Sequence, residues 1–146
     1  QEFEVRVCVL GCRDVPMMDI EGTTDAYIRA FISDNSVQET DTHYRCTTGN
    51  PNFNYRLKFN VKTPFVKSPL LSLQLWDRDL IKSNDLICEW VLDLSEIVED
   101  SQLTGSIMCL QEKYYEKSLM PRLVDKKDVD GNPIPFKAPF KFVKKP

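Results

Sequence analysis

Several things are scarce or missing in this chain, and each absence excludes a class of function. No apolar run approaches the ~18 residues that a membrane-spanning helix needs. His43 is the one histidine, so the helical His-Glu pair of zinc hydrolases is missing. Its pairing with Cys46 as a thiol nucleophile fails on strand alternation, which sends positions 43 and 46 to opposite faces. Cys8, Cys12, Cys46, Cys88 and Cys109 stand singly, without a Cys-x-x-Cys pair, which argues against zinc. An odd number of cysteines with no secretory signal reads as reduced cytosolic thiols. There is no Gly-rich phosphate loop and no nucleophile elbow, so the expectation is a binding module and not an enzyme. The net charge of −3 lacks the basic excess that nucleic acid requires, and nucleic acid is not expected as a partner. The same charge opposes simple adhesion to anionic lipid, so acid at a membrane contact would first have to be cancelled. The first residues, Gln1 to Val9, alternate polar and apolar and resemble neither a signal nor a transit peptide. The chain starts without Met, which suggests an excerpt of a longer protein whose anchor lies elsewhere.

What remains is the composition of an ordinary globular domain, 42% apolar and 28% charged. At 146 residues it fits one domain with one core. Short runs separated by turn residues predict strands at Phe3–Leu10, Ala26–Ile32, Thr40–Thr47, Tyr55–Val61, Leu70–Trp76, Leu86–Leu94, Ser106–Gln111 and Phe136–Val143. Phe3, Val5, Val7 and Val9 alternate with polar neighbours, the mark of a half-buried strand, and Tyr55, Leu57, Phe59 and Val61 repeat it. Leu94–Leu103 is the one helix candidate. About eight strands and little helix point to an all-β antiparallel sandwich or barrel. Trp76, Phe53, Phe59 and Trp90 are core candidates. The charged, Pro-marked stretch 112–135 reads as an excursion before the last strand, and Asp128-Val129-Asp130-Gly131 in it reads as a turn.

The unusual residues are aspartates at strand ends. Asp19 and Asp25 stand six apart; Asp77, Asp79 and Asp85 stand at offsets of two and eight. Asp is depleted in strands and costly to bury unless paired or bound to metal. Taken singly, each reads best as a solvated loop acid. If both loops lie at one end of the sandwich, five carboxylates converge and repel, and a hard cation relieves them. Ca²⁺ accepts six to eight oxygens in irregular geometry, whereas Mg²⁺ demands a strict octahedron and keeps its waters.

The D-x₅-D spacing before an apolar strand, followed by W-D-x-D-x₅-D, resembles the ligand set of Ca²⁺-binding C2 domains. The segment T-T-G-N-P-N-F-N-Y-R-L-K-F resembles that family's Asn-Pro-x-Phe-Asn turn and the strand after it. The resemblance covers residues 3 to about 111. D-T-H-Y-R and N-F-N-Y-R-L-K-F are similar, more narrowly, to the membrane-proximal C2 domain of ferlins. Against that pattern the first loop is short, and Cys88 stands where the family usually has Gly. The resemblance implies an eight-stranded C2 β-sandwich of type II topology. In it, residues 1–146 form a single domain with its core at 3–111, an excursion at 112–135 and a closing strand at 136–143. It implies Ca²⁺, held by Asp19, Asp25, Asp77, Asp79 and Asp85 with the carbonyl of Arg78 as a further ligand. Five negative charges match two ions better than one. A lysine-rich phosphoinositide strand, common in the family, is not matched: Thr40–Thr47 offers Asp41 and His43, with Arg45 its one cation, although Lys58, Lys62 and Lys67 lie elsewhere.

Ile20 follows Asp19, and Leu80-Ile81 follow Asp79, so large apolar side chains sit at the tips of acidic loops, with Lys82 beside them. They are expected either to cap the sandwich end or to insert into a membrane, with Lys82 keeping its ammonium at the headgroups. The function expected is Ca²⁺-dependent binding of an anionic phospholipid membrane, at the cytosolic face, by a peripheral domain working with other domains of its parent chain. Fusion or vesicle traffic is what the ferlin resemblance adds. The alternatives are a Ca²⁺-independent protein-interaction C2 domain and the targeting C2 domain of a lipid-signalling enzyme.

Overall fold

Alternation of the kind seen at residues 3–9 needs a partner strand with the same dry face, and the computed structural model supplies it. The structure describes residues 1–17, 21–33 and 37–110, the backbone of 119–123, and Asp130. The elements are β1 (Glu2–Gly11), β2 (Thr24–Ile32), β3 (Gln38–Glu39), β4 (His43–Cys46), β5 (Asn52–Lys62), β6 (Leu70–Asp77), β7 (Asp85–Asp93), α1 (Ser95–Thr104) and β8 (Leu119–Leu123). β1 and β5 form one antiparallel sheet in which Phe3 lies opposite Val61, Val5 opposite Phe59 and Val7 opposite Leu57. The larger sheet runs β3-β2-β6-β7-β8, with β4 also paired to β2. Between the sheets, Ala26, Ile28, Ala30 and Ile32 of β2 and Leu71, Leu73 and Leu75 of β6 meet Leu57, Phe59 and Val61 of β5. Phe59 and Trp90 are buried as expected, Phe53 packs at the core's edge, and Trp76 sits half-buried outside it. The expected all-β sandwich with one short helix is what forms.

Three expectations need correction. Of the run Thr40–Thr47 only His43–Cys46 is strand; residues 40–42 form the break between β3 and β4. Thr40 is buried there and its hydroxyl oxygen accepts the Ile28 N–H at 3.0 Å, so a side chain replaces a ladder bond. Residues 106–110 form no strand. Gly105 caps α1 in the left-handed conformation at φ 65° and the Ser101 hydroxyl donates to the Ser106 carbonyl, which turns the exit outward and leaves Ile107 94% exposed. β8 instead arises at Leu119–Leu123, inside the stretch read as an excursion, where it pairs with the edge of β7. Pro121 has no N–H to donate, and it falls at the register shift between Glu89 and Val91 of β7, where a missing donor is tolerated. The expected final strand 136–143, and with it the type II closure, lies outside the described residues.

Two ties hold neighbouring elements in place. The Gln38 side chain bonds both peptide groups of Lys58, taking its N–H at 3.2 Å and donating to its C=O, so β5 is fastened to the larger sheet. The Gly49-Asn50-Pro51 turn holds the chain leaving β1: Cys12 N–H donates to Pro51 O and Val15 N–H to Gly49 O, both at 2.9 Å. Gly49 stands at φ +73° with Val15 O only 3.1 Å from where a Cβ would be, so this position favours glycine twice over.

Candidate functional site

Strands β2, β6 and β7 bring three of the expected aspartates to one end of the sandwich. Asp77 ends β6 and is 2% exposed. Burying a carboxylate is costly unless donors meet it; its Oδ1 accepts the Asp25 N–H at 2.8 Å. Asp25, on β2, accepts the Arg45 N–H at 2.6 Å through its own Oδ1, and its carbonyl accepts the Arg78 N–H at 2.8 Å. Asp85 opens β7 directly opposite Asp77. Like charges so placed destabilise a sheet.

A bulge creates that opposition. In β7, Cys88 lies opposite Leu75, but Leu86 lies opposite Trp76, so Ile87 is the extra residue. Ile87 and Cys88 are accordingly both buried in succession, 2% and 0% exposed. Without the bulge, Leu86 would stand opposite Asp77 and Asp85 would be displaced from it.

Asp79 lies in the loop between β6 and β7. Its Oδ1 accepts two backbone N–H groups, Ile81 at 2.9 Å and Lys82 at 3.0 Å. Those bonds, Ile81's first, hold its carboxyl below the usual Asp range. Leu80 and Ile81 are 86% and 94% exposed, and Lys82 is exposed beside them; none folds back onto the core. Asp19 and Ile20, expected on the neighbouring loop, lie outside the described residues.

Asn84, Tyr27 and Thr42, none of them singled out as a site residue from the sequence, shape this loop together with the Arg78 side chain. Asn84 Oδ1 accepts the Asp79 N–H at 3.0 Å, while its Nδ2 donates to the Tyr27 hydroxyl at 3.1 Å. The Arg78 guanidinium lies 4.3 Å from the centre of the Tyr27 ring and donates to the Thr42 hydroxyl at 2.9 Å. The loop is thereby strapped to β2 and to the break before β4. Tyr27 had a signal, since it stands two residues after Asp25 on a strand; Asn84 had none, because Ser83-Asn84 reads as plain turn chemistry. Asn84→Ala should speed amide exchange at Asp79 about fivefold, the equivalent of one lost hydrogen bond of ~1 kcal/mol. The melting temperature should hardly move, and unchanged exchange would show that the loop is shaped by other contacts.

Among the described residues, no three His, Cys, Asp or Glu side chains are gathered tightly enough to hold a metal ion. Asp25, Asp77 and Asp79 each accept a backbone amide through Oδ1. The donor chemistry still fits a hard divalent cation, being carboxylate oxygen throughout, with Asp77 set against Asp85 in one register pair. All five cysteines are free thiols, and burial pushes Cys12 and Cys88 up to about 12, which makes them inert. His43 Nδ1 accepts the Asn52 N–H at 3.0 Å, while Cys46 Sγ lies 3.8 Å from the Thr48 hydroxyl.

Comparison with known proteins agrees with the fold. The family model described as the C2 domain matches residues 3–109. Ferlin 1 of Toxoplasma gondii is 34% identical over 98 residues, which is 64% of this chain and 7% of that protein. Synaptotagmin-1 of Aplysia californica is 30% identical over 105 residues, 68% of this chain and 24% of that protein. The chain thus spans a small fraction of these relatives. Among solved structures, a C2 domain of plant Extended Synaptotagmin 1 superposes with a TM-score of 0.56 at 22% identity, covering 64% of this chain and 70% of that one.

Proposed function

The chain belongs to the C2 domain family, and we propose that it is a Ca²⁺-dependent phospholipid-binding module of a larger, ferlin-like protein of membrane fusion or vesicle traffic. The observation that carries the reading is the buried Asp77 facing Asp85 across β6 and β7, with Asp25 bonded to it and Asp79 just beyond. Asp19, Asp25, Asp77, Asp79 and Asp85, with the Arg78 carbonyl, would hold Ca²⁺, and their five charges suit two ions. Bound there, the cation supplies positive charge and open coordination sites for lipid phosphate. The chain's own part is to place the carboxylates and to present Leu80, Ile81 and Lys82, with Ile20, to the interface of an anionic membrane. This work belongs at the cytosolic face of a membrane, and the rest of the parent chain is the natural source of an anchor and of partner domains. The ferlin context draws its support from the relatives of that name in Toxoplasma gondii and elsewhere.

The test is thermal. A ligand that binds only the folded chain stabilises it by ~2.7 kcal/mol at a hundred times its dissociation constant. The melting temperature should therefore climb with free Ca²⁺ and climb far less with Mg²⁺. Identical melting curves in chelator and in Ca²⁺ would favour a Ca²⁺-independent protein-interaction domain.

A further inference from the structure

The outward face of the β1–β5 sheet carries a cluster of positive charge that the acidic end does not explain. Every exposed position of β5 is asparagine, arginine or lysine. Register sets Arg6 directly opposite Lys58, and Cys8 opposite Arg56, which makes Arg56 the diagonal neighbour of Arg6. By strand geometry the Cβ atoms of these three residues lie within about 5–8 Å of one another. Like charges directly opposite weaken a sheet, so the arrangement costs stability unless an anion answers it. Two acids share the face among the described residues: Glu4, ion-paired to Arg6, and Glu2, opposite Lys62 at the far end of the strand pair. The Glu4 carboxyl is held below the usual range by Arg6 first, with Lys58 and Arg56 adding to the effect. Two carboxylates, Glu2 and Glu4, against four cations, Arg6, Arg56, Lys58 and Lys62, leave the face positive in a chain of net charge −3.

The shape of the face selects the kind of anion. Its aromatic neighbours Phe3, Phe53, Tyr55 and Phe59 all turn to the core side, so nucleic acid bases would have nothing to stack on. On β5 the pair Arg56 and Lys58 is flanked by the amides of Asn54 and Asn60 along an open, flat face. That suits a flat array of phosphates better than one compact anion in a cleft. Leu10, 54% exposed, ends the face where β1 turns toward the acidic loops.

We propose that the outer face of the β1–β5 sheet is a second membrane-docking surface, holding an anionic bilayer by charge through Arg6, Arg56 and Lys58 without any metal. It lies along the side of the sandwich, while the acidic loops lie at its end, and it does not depend on the Ca²⁺ reading. Gln38 stiffens it by fixing the Lys58 backbone to the other sheet.

Binding to phosphatidylserine–phosphatidylcholine vesicles in the presence of chelator tests this directly. The native chain should bind, and should let go as salt rises from about 0.1 M to about 1 M, where screening shortens from ~10 Å to ~3 Å. Arg56→Glu with Lys58→Glu should weaken binding at least about tenfold, since each cation near an anionic leaflet contributes attraction. Glu4→Gln should strengthen it, an opposite sign that simple misfolding cannot mimic. Both variants alter exposed side chains, and circular dichroism will confirm their fold. No binding in chelator, equal binding to vesicles of phosphatidylcholine alone, or binding indifferent to these substitutions would overturn the proposal. So would capture of an acidic protein or of nucleic acid by this face in place of vesicles.

Discussion

The Asp77→Asn, Asp79→Asn double variant will give no calorimetric Ca²⁺ signal at concentrations that saturate the native chain. Two substitutions lower the proposed ligand charge from five to three while keeping the shape of each side chain. Asparagine retains an oxygen that can accept the Asp25 N–H at position 77 and the Ile81 and Lys82 N–H groups at position 79. The fold should therefore survive. Ca²⁺ affinity follows the number of charged ligands, so losing two of five should weaken it by about a hundredfold or more. Asp79→Asn alone should weaken binding with almost no loss of stability, because Asp79 sits in a loop. Protonation does not compete near neutral pH. The folded pKa of Asp79 is lowered, so what its two amide bonds contribute is complete above the ordinary Asp range. That contribution is lost only as pH falls through the lowered value. A double variant that titrates like the native chain would remove these aspartates from any account of the domain.

The second large effect concerns the tips. Ile20→Ser, Leu80→Ser and Ile81→Ser together should lower Ca²⁺-dependent binding to anionic vesicles at least about tenfold, or ~1.4 kcal/mol. Leu80 and Ile81 stand almost wholly in water at 86% and 94% exposure, so serine there removes no packing from the core. Burying one such side chain completely yields roughly 1.5–3 kcal/mol, and partial insertion of a few reaches the expected loss. Lys82 can lay its stem beside them and leave its charge at the headgroups. Ca²⁺ titration in solution should stay near native, because none of the three is an acid. By linkage, lipid should tighten Ca²⁺ binding by the factor that Ca²⁺ tightens lipid binding. Wild-type vesicle binding by the triple variant would move the docking surface elsewhere on the domain.

Much of this was legible where one physical requirement dominated. β1 and β5 have one dry face and one wet face, so Val5, Val7, Leu57 and Phe59 announced their strands by alternation. The aspartates announced themselves by standing where acids are expensive. The misses fall where two requirements compete. Thr40 has a strand former's shape, yet its hydroxyl can satisfy a neighbour's backbone and end the ladder. The residues at 106–110 mix polar and apolar like an edge strand, but a left-handed glycine sends them outward. Ile87-Cys88 reads as continuous apolar strand, and no pattern of types reveals that both turn inward. Asn84 bonds across 57 positions to Tyr27, a contact that exists only after the sheet has formed.

The extra residue at Ile87 sets a boundary for anyone wishing to transplant this acidic end onto another two-sheet scaffold. Excising the loop at its visible edges, from Arg78 to Asn84, would leave behind the residue that puts Asp85 across from Asp77. On a host strand of regular pleat the graft would arrive one position out of phase, with an apolar side chain facing the buried carboxylate. The portable unit therefore runs from Asp77 through Cys88, with Tyr27 or an equivalent hydroxyl on the adjoining strand of the host to receive Asn84. Conversely, from Cys88 to Asp93 the pairing of β7 with β6 is regular, so the side chains at Trp90 and Leu92 do not set which acid faces which.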